Sequence, residues 1–412
     1  MGANQSLPLP CWEHILSFLP IQDVVQLTHV DEETFELIRK NSYFWRKRAQ
    51  QFHDLDSMLF TRFKDTSGDK MSDLAPAVVR ADAALEVIKS GIEIDAQTIR
   101  SYPMDDEVMQ MSVDQREGRV VVQLLNKTIR VYNLERMVEG PLHEFQWSPL
   151  REIILHGPLI FMRDTYNPVT AHTDIYSWAD KEIMAHLGPG STRVGAAPLK
   201  KSDDHLLAYD IQNHAALAYP LRKTGFCTGA HVVKLPNETS LHDYAIRKNV
   251  VYTILAIGGV FFFQDFLLPT GDPIRKLAIA TPTERHEPKL KYPYILITQR
   301  PFAGDSDRRN IGVYGTRIWV PGAYARVETG TTIVADDMVE PVSCSEYFLF
   351  LRDFRRNRIL VLRLGDMETP FRVVDQIGAD DEETVIASYG LSFVHRHGRR
   401  LIIRSYTDAE FR

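Results

Sequence analysis

The chain has 412 residues, 44% hydrophobic and 25% charged, the composition of a folded soluble protein, which excludes global disorder. Its formal charge of −6 argues against a nucleic-acid binder driven by bulk charge, which would be basic. Three widely spaced cysteines, Cys11, Cys227 and Cys344, form no Cys-x-x-Cys pair, so neither a disulfide scaffold nor a cysteine-rich zinc site is expected, and a reducing compartment, cytoplasm or nucleus, is.

The N-terminus lacks the basic start and apolar core of a secretory leader. Met1-Gly2 followed by Ser6 matches the loose pattern for N-myristoylation at Gly2, and one such chain anchors only marginally. Next come apolar residues at helical spacing. Trp12, Ile15, Leu16 and Leu19 lie three and four apart, on one helix face, and Pro20 closes that helix. A second short helix begins at Asp23, with Val24, Val25 and Leu27 as its apolar side. The pattern predicts a third from Asp31 to Arg39, burying Phe35 and Ile38, and Phe44-Trp45 opens a fourth segment. Helices this short make a poor core by themselves, because a small module buries too little surface to offset its chain entropy, and such a piece usually needs a partner surface.

The order and spacing of these residues resemble the F-box family. Leu7-Pro8 stands where the family opens with Leu-Pro. Ile15-Leu16 and then Phe18-Leu19-Pro20 match its Ile-Leu-x-x-Leu-Pro core, and Asp23-Val24-Val25 matches its Asp-Leu-Leu. Val30 falls at the valine before the third helix, and Trp45, followed by basic residues, matches the closing tryptophan. One stretch departs: where the family often has Cys-Lys-x-Trp, this chain has the acidic Asp31-Glu32-Glu33-Thr34-Phe35. The resemblance implies that residues 1–53 dock onto a Skp-type adaptor and through it a cullin. It assigns Leu7, Pro8, Ile15, Leu16, Leu19, Pro20, Val24, Val25, Val30 and Trp45 to the adaptor interface or to the module's own core, two roles the sequence does not separate.

Residues 54–101 read as a helical linker. Thr66-Ser67-Gly68-Asp69-Lys70 is a polar break, and Leu74 to Ile88, rich in Ala, Val and Leu, has a helical composition. Residues 102–412 read as β-structure. Val120 to Leu125, the turn Asn126-Lys127 and Thr128 to Leu134 form a strand–turn–strand unit rich in β-branched and aromatic residues. Asn249 to Gln264 is uncharged but too short to span a bilayer, and Gly258-Gly259 divides it into two arms of a hairpin.

Similar apolar strands recur near Tyr132, Tyr176, Tyr209 or Tyr219, Phe262, Tyr314, Leu362 and Ile403. The step is roughly 40–50 residues, the length of one propeller blade. The expected fold is therefore multidomain α plus all-β: a small helical module, then a six- to seven-bladed β-propeller, with a pair of β-sandwiches as the alternative. Tyr209-Asp210, and Trp178 with Asp180, are only fragments of a WD-repeat signature, so the propeller is similar to the WD-repeat class without its marks. Trp147, Trp178 and Trp319 are expected in its core.

Two basic clusters, Arg352, Arg355, Arg356 and Arg358, and His395, Arg396, His397, Arg399 and Arg400, fall between predicted strands. Loops on a rigid scaffold concentrate binding residues, and arginine clamps carboxylate or phosphate in two-pronged fashion, so the arginines are candidate contacts to an acidic or phosphorylated protein substrate. The bland reading is a solvated hairpin tip. His395-x-His397 is half a zinc site without a third ligand, and Asp380-Asp381-Glu382-Glu383 reads as a solvated loop. The sequence has no Gly-x-Ser-x-Gly, Gly-x-x-x-x-Gly-Lys or His-Glu-x-x-His motif and implies no cofactor. An F-box followed by a propeller implies a non-catalytic substrate-recognition subunit of an SCF-type (Skp–cullin–F-box) ubiquitin ligase. The alternatives are a non-degradative interaction scaffold and an enzyme with its site at a propeller mouth.

Overall fold

The computed structural model describes residues 9–53, 78, 79, 82 and most of 98–405, the gaps in that last range falling between strands. Four helices form first: α1 (Leu9–Phe18), α2 (Ile21–Leu27), α3 (Glu32–Lys40) and α4 (Ser42–His53). Pro20 supplies the N-cap of α2, where a proline costs no helix hydrogen bond. Asp31 caps α3 by accepting the Thr34 N–H at 2.7 Å, which holds its carboxyl below the usual range, and Glu32 and Glu33 follow in the first turn. The acidic stretch that departs from the F-box pattern is thus a helix start, where negative charge is favoured.

Leu16, Ile21, Val24, Ile38, Phe44 and Trp45 form the core of the helical module. Fully buried Val78, from the segment expected to be a linker, belongs to the same core, with Val79 packed against it. The Trp45 indole donates to the Ile38 carbonyl at 2.9 Å, and the Asn41 side chain accepts the Phe44 N–H at 3.0 Å. From α4, the Arg48 guanidinium reaches the carbonyls of Leu16, Ser17 and Leu19, satisfying the C-terminal end of α1.

Among the described residues the β-region forms seven antiparallel sheets, each built mainly from consecutive strands. The first contains β2 (Val108–Asp114), β3 (Arg119–Leu124), β4 (Thr128–Asn133) and β5 (His143–Gln146). The second contains β6 (Glu152–His156), β7 (Leu159–Arg163), β8 (Thr173–Ser177) and β9 (Glu182–Leu187). In the third, β10 (Lys200–Lys201), β11 (His205–Asp210) and β12 (Ala215–Arg222) are followed by two short strands, β13 (Gly225–Phe226) and β14 (His231–Lys234), that both pair with β12. The fourth has β15 (Ser240–Arg247), β16 (Val250–Ile257), β17 (Val260–Leu267) and β18 (Asp272–Ala280). The fifth has β19 (His286–Lys291), β20 (Tyr294–Gln299), β21 (Arg308–Gly315) and β22 (Thr331–Asp336). The sixth has β23 (Val339–Cys344), β24 (Phe348–Asp353), β25 (Arg358–Arg363) and β26 (Arg372–Gly378). The seventh joins β27 (Ile386–Tyr389), β28 (Ser392–His397) and β29 (Arg400–Ser405) to β1 (Thr98–Pro103).

First strands of neighbouring sheets lie side by side: β2 against β6, β10 against β15, β15 against β19, β23 against β27, and β27 back against β2. The result is a seven-bladed β-propeller, not a pair of sandwiches. The last blade is completed from the other end of the chain, with β1 paired to β29 from Thr98↔Ser405 to Pro103↔Arg400. The propeller therefore begins at Thr98, four residues before the boundary read at 102. A polar edge strand ending in proline carries little strand signal of its own.

The first blade is covered on both faces. Val121 packs with Ile153, Leu155 and Ile160 of the second blade, while Val120 and Val122 pack with Val394 and Ile403 of the seventh. This explains the unbroken apolar run of β3, which a one-sided sheet would replace by alternation. The hairpin between β16 and β17 turns at Gly258 and Gly259, with φ of +53° and +84°. Positive φ at both central residues is the demand of a type I′ turn, which only small or polar residues meet cheaply. A Cβ at Gly258 would meet no atom within 4 Å, so Gly258→Ala is expected to cost only the backbone term, about 1 kcal/mol, read by denaturant unfolding.

Candidate interaction surfaces

The helical module divides the residues assigned to an adaptor interface into two sets. Leu16, Val24 and Trp45 are buried at 0%, 0% and 3% exposure and hold the module together. Leu19 and Val25 are half-buried against that core. Ile15 and Val30 are 40% and 66% exposed, and Pro20 is exposed. Leu7 and Pro8 lie outside the described residues. Of the third-helix pair expected to be buried, Ile38 is, whereas Phe35 is half-buried.

Two outward residues were absent from the interface assignment: Phe18, 74% exposed, and Tyr43, 59% exposed. On α1, Cys11, His14, Ile15 and Phe18 recur at helical spacing and are exposed, opposite buried Leu16. The Phe18 ring packs edge-on against His14 at 4.8 Å. The stripe thus carries two exposed apolar side chains, Ile15 and Phe18, and the helical period of Cys11, Ile15 and Phe18 was its sequence signal.

On the propeller, the basic clusters split in a similar way. Arg352 and Arg396 are not hairpin-tip residues: they lie within β24 and β28 at 3% and 7% exposure. Arg352 donates to the Asn357 side chain at 2.5 Å. Arg396 donates to Glu107 Oε1 at 2.9 Å and to the Val108 carbonyl at 2.8 Å, clasping the seventh blade to the first. Both were misplaced because strands covered on two faces bury residues of either parity, including the aliphatic stems of arginines.

Arg356 does occupy the turn, whereas Arg358 is the first residue of β25, and both pair with fully buried Asp353, at 3.3 and 3.0 Å. Burial alone would push the Asp353 carboxyl up, but Arg358 and the backbone and side chain of Arg356 hold it below its ordinary value. Arg399 is exposed beside Asp106, and Arg400 donates to Ser101 Oγ at 2.8 Å. Arg355 and Asp380 to Glu383 lie outside the described residues. His395 is buried and its strand neighbour His397 exposed, and among the described residues no cluster of three or more His, Cys, Asp or Glu is placed to hold a metal ion.

Two polar or aromatic groupings went unseen in the sequence. Glu152, at the start of β6, accepts the Leu199 N–H at 2.9 Å and faces Arg163 at 3.5 Å, joining blades two and three, and burial pushes its carboxyl up. Between blades one and two, Phe145 stacks on Tyr176 at 4.4 Å, and His143 Nε2 lies 3.0 Å from the Tyr176 hydroxyl. Trp147 and Trp178 are half-buried beside this cluster, and Trp319 lies outside the described residues.

Burial, and then the charge of Lys181, hold the His143 pKa below its ordinary value. The folded state thus binds this proton less readily than the unfolded chain. The stabilising preference for neutral His143 is intact above the unfolded value near 6.5 and is lost as the pH falls through it. Wild type is therefore expected to lose more melting temperature between pH 7.5 and pH 5 than His143→Gln, which removes the titration at this site; equal losses would show that His143 does not contribute.

Among the described residues no helix is long and apolar enough to cross a membrane. No protein-family model and no curated protein matches the chain. Solved structures do. The chain is similar to the Cps50 (Swd1) β-propeller domain of Myceliophteria thermophila at 9% identity and a TM-score of 0.49, over 75% of this chain and 99% of that one. A computationally designed protein, Ika8, aligns at 10% identity and a TM-score of 0.44, over 72% of this chain and 83% of its own. A chain of a Mitotic Checkpoint Complex aligns at 11% identity and a TM-score of 0.47, over 76% and 93%. The chain's own sheet order defines the class: a helical module followed by a seven-bladed β-propeller. A rigid ring presenting loops is a scaffold consistent with a role in protein interaction.

Proposed function

We propose that the chain is a substrate-recognition subunit of an SCF-type ubiquitin ligase. In this reading the helical module is an F-box that docks on a Skp-type adaptor, and through it a cullin, in the cytoplasm or nucleus. The propeller binds the protein to be ubiquitinated. The chain is non-catalytic: it holds a substrate lysine near a charged conjugating enzyme, so its contribution is proximity. The observation that carries the reading is the α1 surface. A module with a buried core that includes Leu16, Val24, Ile38 and Trp45 still exposes Ile15 and Phe18. The F-box resemblance supplies the class of partner for that surface.

The test is co-expression with a Skp-type adaptor and size-exclusion chromatography of wild type and an Ile15→Asp/Phe18→Asp double variant. Both side chains are substantially exposed, so the variant is expected to fold, which its circular dichroism checks. A one-to-one complex formed by wild type and lost in the variant is expected. Failure of wild type to bind the adaptor would overturn the reading. Equal binding by the folded double variant would remove Ile15 and Phe18 from the interface.

A further inference from the structure

We draw no further inference here: the strongest candidate, the aromatic cluster between the first two blades formed by His143, Phe145 and Trp147 with Tyr176, has rings that already pack on one another, and nothing in the structure shows what else would cover them.

Discussion

Leu16→Asp is expected to unfold the helical module while leaving the propeller standing. Leu16 has no exposed surface and sits among Ile21, Val24, Ile38 and Trp45. Losing the leucine costs about 2–5 kcal/mol, and burying a carboxylate without a partner adds several more. A core below about 70–80 residues rarely supplies more than about 3–5 kcal/mol, so one substitution exceeds what the module has. Hydrogen exchange read by mass spectrometry should show residues 9–53 losing protection while β3 and β4 keep theirs. Phe18→Asp, at a side chain 74% exposed, should leave both regions protected, with a cost within about 0.5 kcal/mol. Retained protection in Leu16→Asp would contradict the core assignment. The contrast also decides how adaptor binding is tested, since loss of binding in Leu16→Asp would report an unfolded module and not a missing contact.

Arg396→Met should destabilise the propeller by about 3 kcal/mol, the low end for removing one partner of a buried ion pair. The guanidinium bridges the seam where the seventh blade meets the first, and its removal takes away the hydrogen bonds it donates to Glu107 and the Val108 carbonyl. Arg356→Met and Arg399→Met, with side chains 55% and 71% exposed, should each cost no more than about 1 kcal/mol. Chemical denaturation of the three variants separates the two kinds of arginine. Equal, small effects would mean that Arg396 is not a clasp, and would return it to the pool of candidate substrate contacts with Arg356 and Arg399.

The repeat was legible because a large apolar residue recurs at the same place in each unit. Tyr132, Tyr176, Tyr219, Phe262, Tyr314, Leu362 and Ile403 fall in β4, β8, β12, β17, β21, β25 and β29, the third strand of every blade in turn. Tyr209, the other choice at the third position, lies one strand earlier, in β11. A strand such as β3 is apolar on both faces because its blade packs against two neighbours. The innermost strand of the third blade, Lys200-Lys201, carries no such run, and β1 takes its partner from residues 299 positions away at the Ser101–Arg400 contact. No local pattern announces a pairing of that span. The helical module was legible in its period, but period alone does not say which side of a helix faces inward. Ile15 and Leu16 are consecutive, equally apolar and oppositely placed, and only the packed partners Ile38, Trp45 and Val78 decide between them.

The borrowed strand in the seventh blade imposes an order on synthesis. β1 leaves the ribosome early, yet its hydrogen-bonding edge finds β29 only after residues 400–405 have emerged. At about 5–20 residues per second that delay is on the order of 15–60 s, far longer than the microseconds a local hairpin such as β16–β17 needs to form. The helical module precedes the ring in the chain, whereas the ring is an open, edge-exposing arc until β29 has emerged. A truncation that removes β29 would make this transient permanent, leaving both β1 and β28 with unpaired edges in a protein whose first fifty residues are intact and available to a partner.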